Sequence, residues 1–175
     1  LKIDRNNKLA KVDKIVLDYF DNDSLKNKFI VNRTKNNNYE LKGSFLNADP
    51  IITSLLESKD DQQLNIFKEN IIISLNVSDV YLDNNNVIKN LKGKLEIIDN
   101  KVDQADISAL FDNNKNISFS INTKDDEKIT TLFSSKAKPL VKRYKFIKGF
   151  EDSDEGYLDF YSSKKDDISN SKLII

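Results

Sequence analysis

The feature that most constrains this chain is an every-other-residue alternation of oily and polar side chains between Ile71 and Ile121. Ile71, Ile73, Leu75 and Val77 oppose Ser74, Asn76 and Ser78, while Leu91, Gly93, Leu95 and Ile97 oppose Lys92, Lys94 and Glu96. Ala105, Ile107, Ala109 and Phe111 oppose Asp106, Ser108 and Asp112, and Ile117, Phe119 and Ile121 oppose Ser118, Ser120 and Asn122. Successive side chains of a strand point to opposite faces, so a period of two puts the apolar set on one side and the polar set in water. A helix with the same pattern would scatter its apolar groups around its circumference.

Between these runs stand Asp83 to Asn86, Asp99-Asn100 and Asp112 to Asn114. Short Asp and Asn side chains tolerate the left-handed backbone of tight turns, so the spacing predicts an antiparallel meander. Upstream, strands are expected near 2–8, 12–20, 25–34 and 38–46, the last with Leu41, Gly43 and Phe45 on one face. Downstream, a strand is expected from Tyr157 to Ser162 and another from near Ile168.

Two segments leave this period. Asp49-Pro50 offers a cap followed by proline in the first helical position, and Ile51, Ile52, Leu55 and Leu56 recur at helical spacing. After Thr123 or Asp125 as cap, Ile129, Leu132, Phe133 and Ala137 form a helical stripe that Pro139 interrupts, and Leu140 to Ile147 continue it at an angle. The expected fold class is therefore mainly β (α+β): an antiparallel meander sheet, curved or groove-like, with two short amphipathic helical segments. The expected domain organisation is a single fragment, 1–175, of a longer β-groove chain, with a joint near 60–63 between two β-plus-helix units.

Composition narrows the function. Lys plus Arg number 28 and Asp plus Glu 28, so there is no broad positive field to gather phosphates, and nucleic acid is not the expected partner. With no Cys and no His, thiolate chemistry, zinc sites and the commonest neutral-pH base are missing. The adjacent acids Asp60-Asp61, Asp125-Asp126 and Asp166-Asp167 read as solvated turns, and neither the Asp79 to Asp83 nor the Asp99 to Asp106 stretch has the central Gly and terminal Glu of a calcium loop. No catalytic residue, metal site or cofactor is expected. A carboxylate-based hydrolase would need two facing acids about 5 to 9 Å apart in a cleft. With no Met and an apolar ending at Lys172-Leu173-Ile174-Ile175, the stretch is expected to be cut from a longer protein, with any membrane anchor outside it. Exposed edge strands at its two ends are expected to pair between isolated copies.

The order of elements resembles the AsmA-like family of bacterial envelope proteins, of the YhdP/TamB type, in the central region typical of alphaproteobacterial members. The residues that carry this are Leu41-Lys42-Gly43-Ser44-Phe45-Leu46-Asn47-Ala48-Asp49-Pro50, similar to a strand leading into an Asp-capped helix, and Leu91-Lys92-Gly93-Lys94-Leu95, similar to a strand with a central glycine. Ile117 to Phe160 is similar to the family's helix followed by a glycine-marked strand, although Phe150 to Glu155 here separate Gly149 from Gly156 where relatives carry adjacent glycines.

The resemblance implies a non-catalytic periplasmic segment of an inner-membrane-anchored parent protein, in which an apolar β-groove moves phospholipid between the inner and outer membranes. The implied partners are phospholipid acyl chains and the parent's segments on both sides, with no cofactor. The groove candidates are the inward-alternating residues Leu41, Phe45, Ile71, Ile73, Leu75, Val77, Leu91, Leu95, Ile97, Ile107, Ala109, Ile117, Phe119 and Ile121. The competing expectation is a sealed structural or adhesin-like β scaffold with no ligand.

Overall fold

A computed structural model describes residues 2–3, 9–11, 13–35, 37–50, 70–99, 101–144, 156–166 and 168–175. Lys2–Ile3 (β1) and Leu9–Lys11 (β2) pair as a two-stranded sheet. The other strands are β3 (Lys14–Phe20), β4 (Lys26–Arg33), β5 (Asn38–Asn47), β6 (Ile71–Tyr81) and β7 (Val87–Ile98). They continue with β8 (Lys101–Leu110), β9 (Asn116–Lys124), β10 (Glu127–Ser134), β11 (Leu158–Lys165) and β12 (Ile168–Ile174).

β3 to β12 form one ten-stranded sheet in chain order, an open meander. Every neighbouring pair is antiparallel except β5 and β6, which run parallel. A parallel pair cannot be joined by a tight hairpin, which is why the long 48–70 connection falls there. The helix expected after Asp49-Pro50 and the joint expected near 60–63 fall on 51–69, outside the described residues, as do 4–8 of the first expected strand.

The expected turns form where short polar residues stand. Asp83 Oδ1 accepts from the backbone N–H of both Asn85 and Asn86, 2.8 Å each, closing the β6–β7 hairpin. Asp99 and Asn114 take left-handed backbone at φ 50° and 58°.

One helical expectation is overturned. Residues 127–134 are strand β10, with Leu132 opposite Phe119 on β9 and Phe160 on β11. Asp125 and Asp126, read as the start of a helix, both take positive φ, 52° and 62°, and form a two-residue hairpin turn. Two consecutive left-handed residues match the right-handed twist of the flanking strands. The stripe Ile129, Leu132, Phe133 is then divided between the two faces of the sheet. Its spacing satisfied both periods, and pairing on both edges together with the β-branched Thr130-Thr131 decided for strand.

A short helix, α1, spans Lys138–Tyr144. It begins two residues before the expected Leu140 and contains Pro139 in its first turn, where a missing N–H costs nothing; 145–147 lie outside the described residues. Ala137, Leu140 and Val141 are buried at 4%, 6% and 3% exposure against Val77, Val80, Leu82, Ile88, Phe111 and Leu158. This is the main core. A second cluster, Tyr39, Ile71 and Ile97, lies toward the opposite ends of the central strands.

Candidate functional site

Residues in register on neighbouring strands share a face, so the ladder of partners traces rows that run across the strands. One row crosses the whole sheet: Ile15, Val31, Leu41, Leu75, Gly93, Ile107, Phe119, Leu132, Phe160 and Leu173. No polar side chain interrupts it. Ten strands at about 4.8 Å spacing make it about 43 Å long.

The row is half-buried along its length, Leu173 at the edge being 37% exposed. The row toward α1 holds the more deeply buried residues, while the neighbouring row on the other side, with Ile73, Leu95 and Ile121, is half-buried like the central one. Toward α1 stand Val77 at 0%, Ala109 at 5%, Ile117 at 9% and Leu158 at 3% exposure, and beyond the other row Ile71 at 2% and Ile97 at 7%. Over the central strands a strip of oily side chains two rows wide thus runs between the packed residues near α1 and the buried pair Ile71 and Ile97. On β10, β11 and β12 the next row along the strands changes to Thr130, Ser162 and Ser171, with Ser171 Oγ 3.1 Å from Ser162 Oγ.

Thirteen of the fourteen sequence candidates lie on this face. Leu41, Leu75, Ile107 and Phe119 form the central row, and Ile73 pairs with Leu95 while Ala105 pairs with Ile121 in the neighbouring one. Val77, Leu91, Ala109 and Ile117 belong to the margin nearest α1, and Ile71 pairs with Ile97 in the other. Phe45 departs from the set. The β4–β5 ladder slips between Gly43 and Phe45, so Phe45 stands opposite Lys28 and Asp79, and Leu46 turns to the core in its place.

A similar slip on β7 sets Asn90 and Leu91 against the single residue Ala109, with Asn90 at φ 55°. The inward set therefore changes from Leu91, Gly93, Leu95 and Ile97 to Ile88, just as β6 buries both Val77 and Val80. Val80, Leu82, Ile88 and Phe111 complete the floor and were not among the candidates. The signal for Val80 and Ile88 is the break of period itself, Val77 to Val80 and Ile88 to Leu91, which strict alternation discards, whereas Phe111 continues the alternation of Ala105, Ile107 and Ala109.

Two glycines lie in these rows. A Cβ on Gly43 would stand 2.6 Å from the Phe29 Cβ, and one on Gly93 would stand 2.8 Å from the Ile107 Cα. Real Cβ atoms essentially never approach so closely, so both positions depend on the absence of a side chain.

The centre of the other face is polar. Lys94, Glu96, Gln104, Asp106, Ser120 and Asn122 border a shallow depression of about 390 Å³ there. Lys94 and Asp106 are cross-strand partners, which is the ordinary pairing of a wetted sheet face. Of the acids considered for chemistry, Asp125, Asp126 and Asp166 occupy left-handed turn positions, and Asp60, Asp61 and Asp167 lie outside the described residues. Among the described residues no group of three or more His, Cys, Asp or Glu is placed to hold a metal ion, and no helix is long and apolar enough to cross a membrane.

At the β4–β5 end, the Asp21 carboxylate accepts from Asn47 Nδ2 at 2.7 Å, the Leu25 N–H at 2.9 Å and Asn27 Nδ2 at 3.1 Å. The Oδ1 of the buried Asn27 accepts in turn from the Asn47 N–H at 2.8 Å. Each buried amide is satisfied within the network, which makes it a structural clasp of the strand ends. Compared with family models, curated proteins and solved structures, the chain matches none.

Proposed function

We propose that the apolar face is a track for lipid acyl chains, and that the chain is a non-catalytic segment of a periplasmic, bridge-like phospholipid-transfer protein of the AsmA-like kind. The observation that carries this reading is the edge-to-edge row of half-buried apolar side chains. Each methylene removed from water contributes about 0.8 kcal/mol, so an acyl chain laid along the row is held without any specific polar partner. Uniform apolar contact offers no deep well at any one strand, and a chain can slide from strand to strand. Gly43 and Gly93, where neighbouring backbone crowds the missing Cβ, favour a sheet curled around this face into a groove. The hydroxyl row Thr130, Ser162 and Ser171 gives the track a wettable margin.

A second reading, a sealed structural or adhesin-like scaffold, draws on α1, which caps one margin with Leu140 and Val141. Native mass spectrometry of freshly purified protein separates the two. The track reading expects co-purified phospholipid, reduced severalfold by Ile73→Asp and by Phe119→Asp in variants that keep the wild-type far-ultraviolet spectrum. Protein that carries no lipid, or folded variants that carry as much as the wild type, would overturn it and leave the scaffold.

A further inference from the structure

We propose that β3 is a self-association edge, to which a second copy adds its own β3 in antiparallel register about a two-fold axis normal to the sheet, with Val16 opposite Val16. β3 ends the sheet, so half of its backbone groups face outward. The Arg33 N–H donates to the Asp13 carbonyl at 2.8 Å, which sets the alternation: odd-numbered residues bond inward to β4, and Lys14, Val16, Asp18 and Phe20 present N–H and C=O outward.

An edge of this kind is ordinarily blunted by Pro, a bulge or an unpaired charge. β3 has no Pro, no Gly and no register slip against β4, and its central charge, Asp18, is held by Lys26 and Lys28. Val16 is 59% and Phe20 65% exposed. The opposite edge, β12, carries Ser169, Asn170, Ser171 and Lys172 in its middle and offers less apolar contact.

Three antiparallel registers bring the outward-bonding residues opposite one another over most of the strand, centred on Val16, Leu17 or Asp18. Centring on Asp18 opposes two carboxylates, and centring on Leu17 sets Val16 against Asp18. Centring on Val16 places Lys14 of each copy opposite Asp18 of the other and Ile15 opposite Leu17, so charge meets charge and apolar meets apolar. The two-fold axis keeps the apolar faces on the same side, so that Ile15, where the central row of one copy ends, meets Leu17 of the other. A single strand pair covers less than the roughly 1,600 Å² of a standard interface, so association in the micromolar range is expected.

Because the chain has no Cys, introduced thiols report this contact cleanly. Ile15→Cys and Leu17→Cys proteins, mixed, should form a disulfide-linked heterodimer under mild oxidation, since opposed residues between hydrogen-bonded pairs have Cα atoms about 4.5 Å apart. Neither protein alone should crosslink. Lys14→Asp should weaken association roughly tenfold in sedimentation velocity with the fold unchanged by circular dichroism. Self-crosslinking of Leu17→Cys as fast as the mixture, crosslinking through Leu173→Cys on β12 in its place, or a wild-type monomer at several hundred micromolar would each overturn the proposal.

Discussion

Gly93 on β7 lies directly against Ile107 on β8, close enough that a Cβ on the glycine would stand 2.8 Å from the Ile107 Cα. The central apolar row passes through this pair, and its one position without a side chain is where the neighbouring backbone leaves no room for one. Strand packing and continuity of the row thus meet at one residue.

Gly93→Ala should destabilise the chain by about 1 to 3 kcal/mol, the usual cost of forcing extra volume into packed structure. The contact is with backbone, which cannot rotate away. Urea unfolding of this variant, beside Ser108→Ala on the polar face, checks the expectation; equal midpoints for the two would mean that the strands separate at no cost.

Val77 and Val16 offer the same chemistry in opposite surroundings, at 0% and 59% exposure. Val77→Ala should cost about 2 kcal/mol through lost burial and the cavity left behind, while Val16→Ala should stay within roughly 0.5 kcal/mol in dilute monomer. Chemical denaturation of both variants measures the difference, and near-equal losses would contradict the placement of the core.

The Asp125-Asp126 turn allows a test of the strand assignment. Asn-Gly is the preferred pair where both turn residues take positive φ, so Asp125→Asn combined with Asp126→Gly should raise stability by roughly 0.5 kcal/mol. Were this segment helical, the new glycine would lower stability by about 1 kcal/mol. Thermal melts of the double variant therefore give opposite signs for the two structures.

Hydrogen bonding holds the Asp21 carboxyl below its ordinary pKa, chiefly through Asn47, then through Leu25, Asn27 and Asp23. Asp18 is lowered in the same direction by Lys26 and then Lys28. A carboxylate whose folded pKa is depressed stabilises the fold above its unfolded value near 4, and that contribution disappears as pH falls through the lower folded value. Asp21→Asn should accordingly flatten the loss of stability on acidification below about pH 4, read from urea midpoints across the acid range. Lys89 behaves with the opposite sign: Asp112 raises its pKa, so its contribution is complete below the unfolded value near 10.4 and disappears as pH rises through the folded one.

Much of the architecture was legible in the residues. Alternation from Ile71 to Ile121 marks β6 to β9, because a period of two is a local property that needs no partner to be expressed. Asp and Asn clusters mark the turns, because left-handed backbone selects those side chains wherever the chain goes. Strand pairing is a different kind of information. Nothing between Asn47 and Ile71 declares that β5 and β6 run parallel, and the stripe Ile129, Leu132, Phe133 fits a helix as well as a strand until β9 and β11 claim its two edges.

By itself the sequence determined that the chain is mainly β, with alternation that assigns its fourteen candidate residues to one apolar side of a sheet. Tertiary structure alone decided that Phe45 leaves that side, that Val80, Leu82 and Ile88 join it, and that the half-buried residues align in one row across ten strands. The reason is that a face is set within each strand by its own pleat, whereas rows and slips are set between strands. They depend on the register that hydrogen bonds, glycine contacts and bulges reach together.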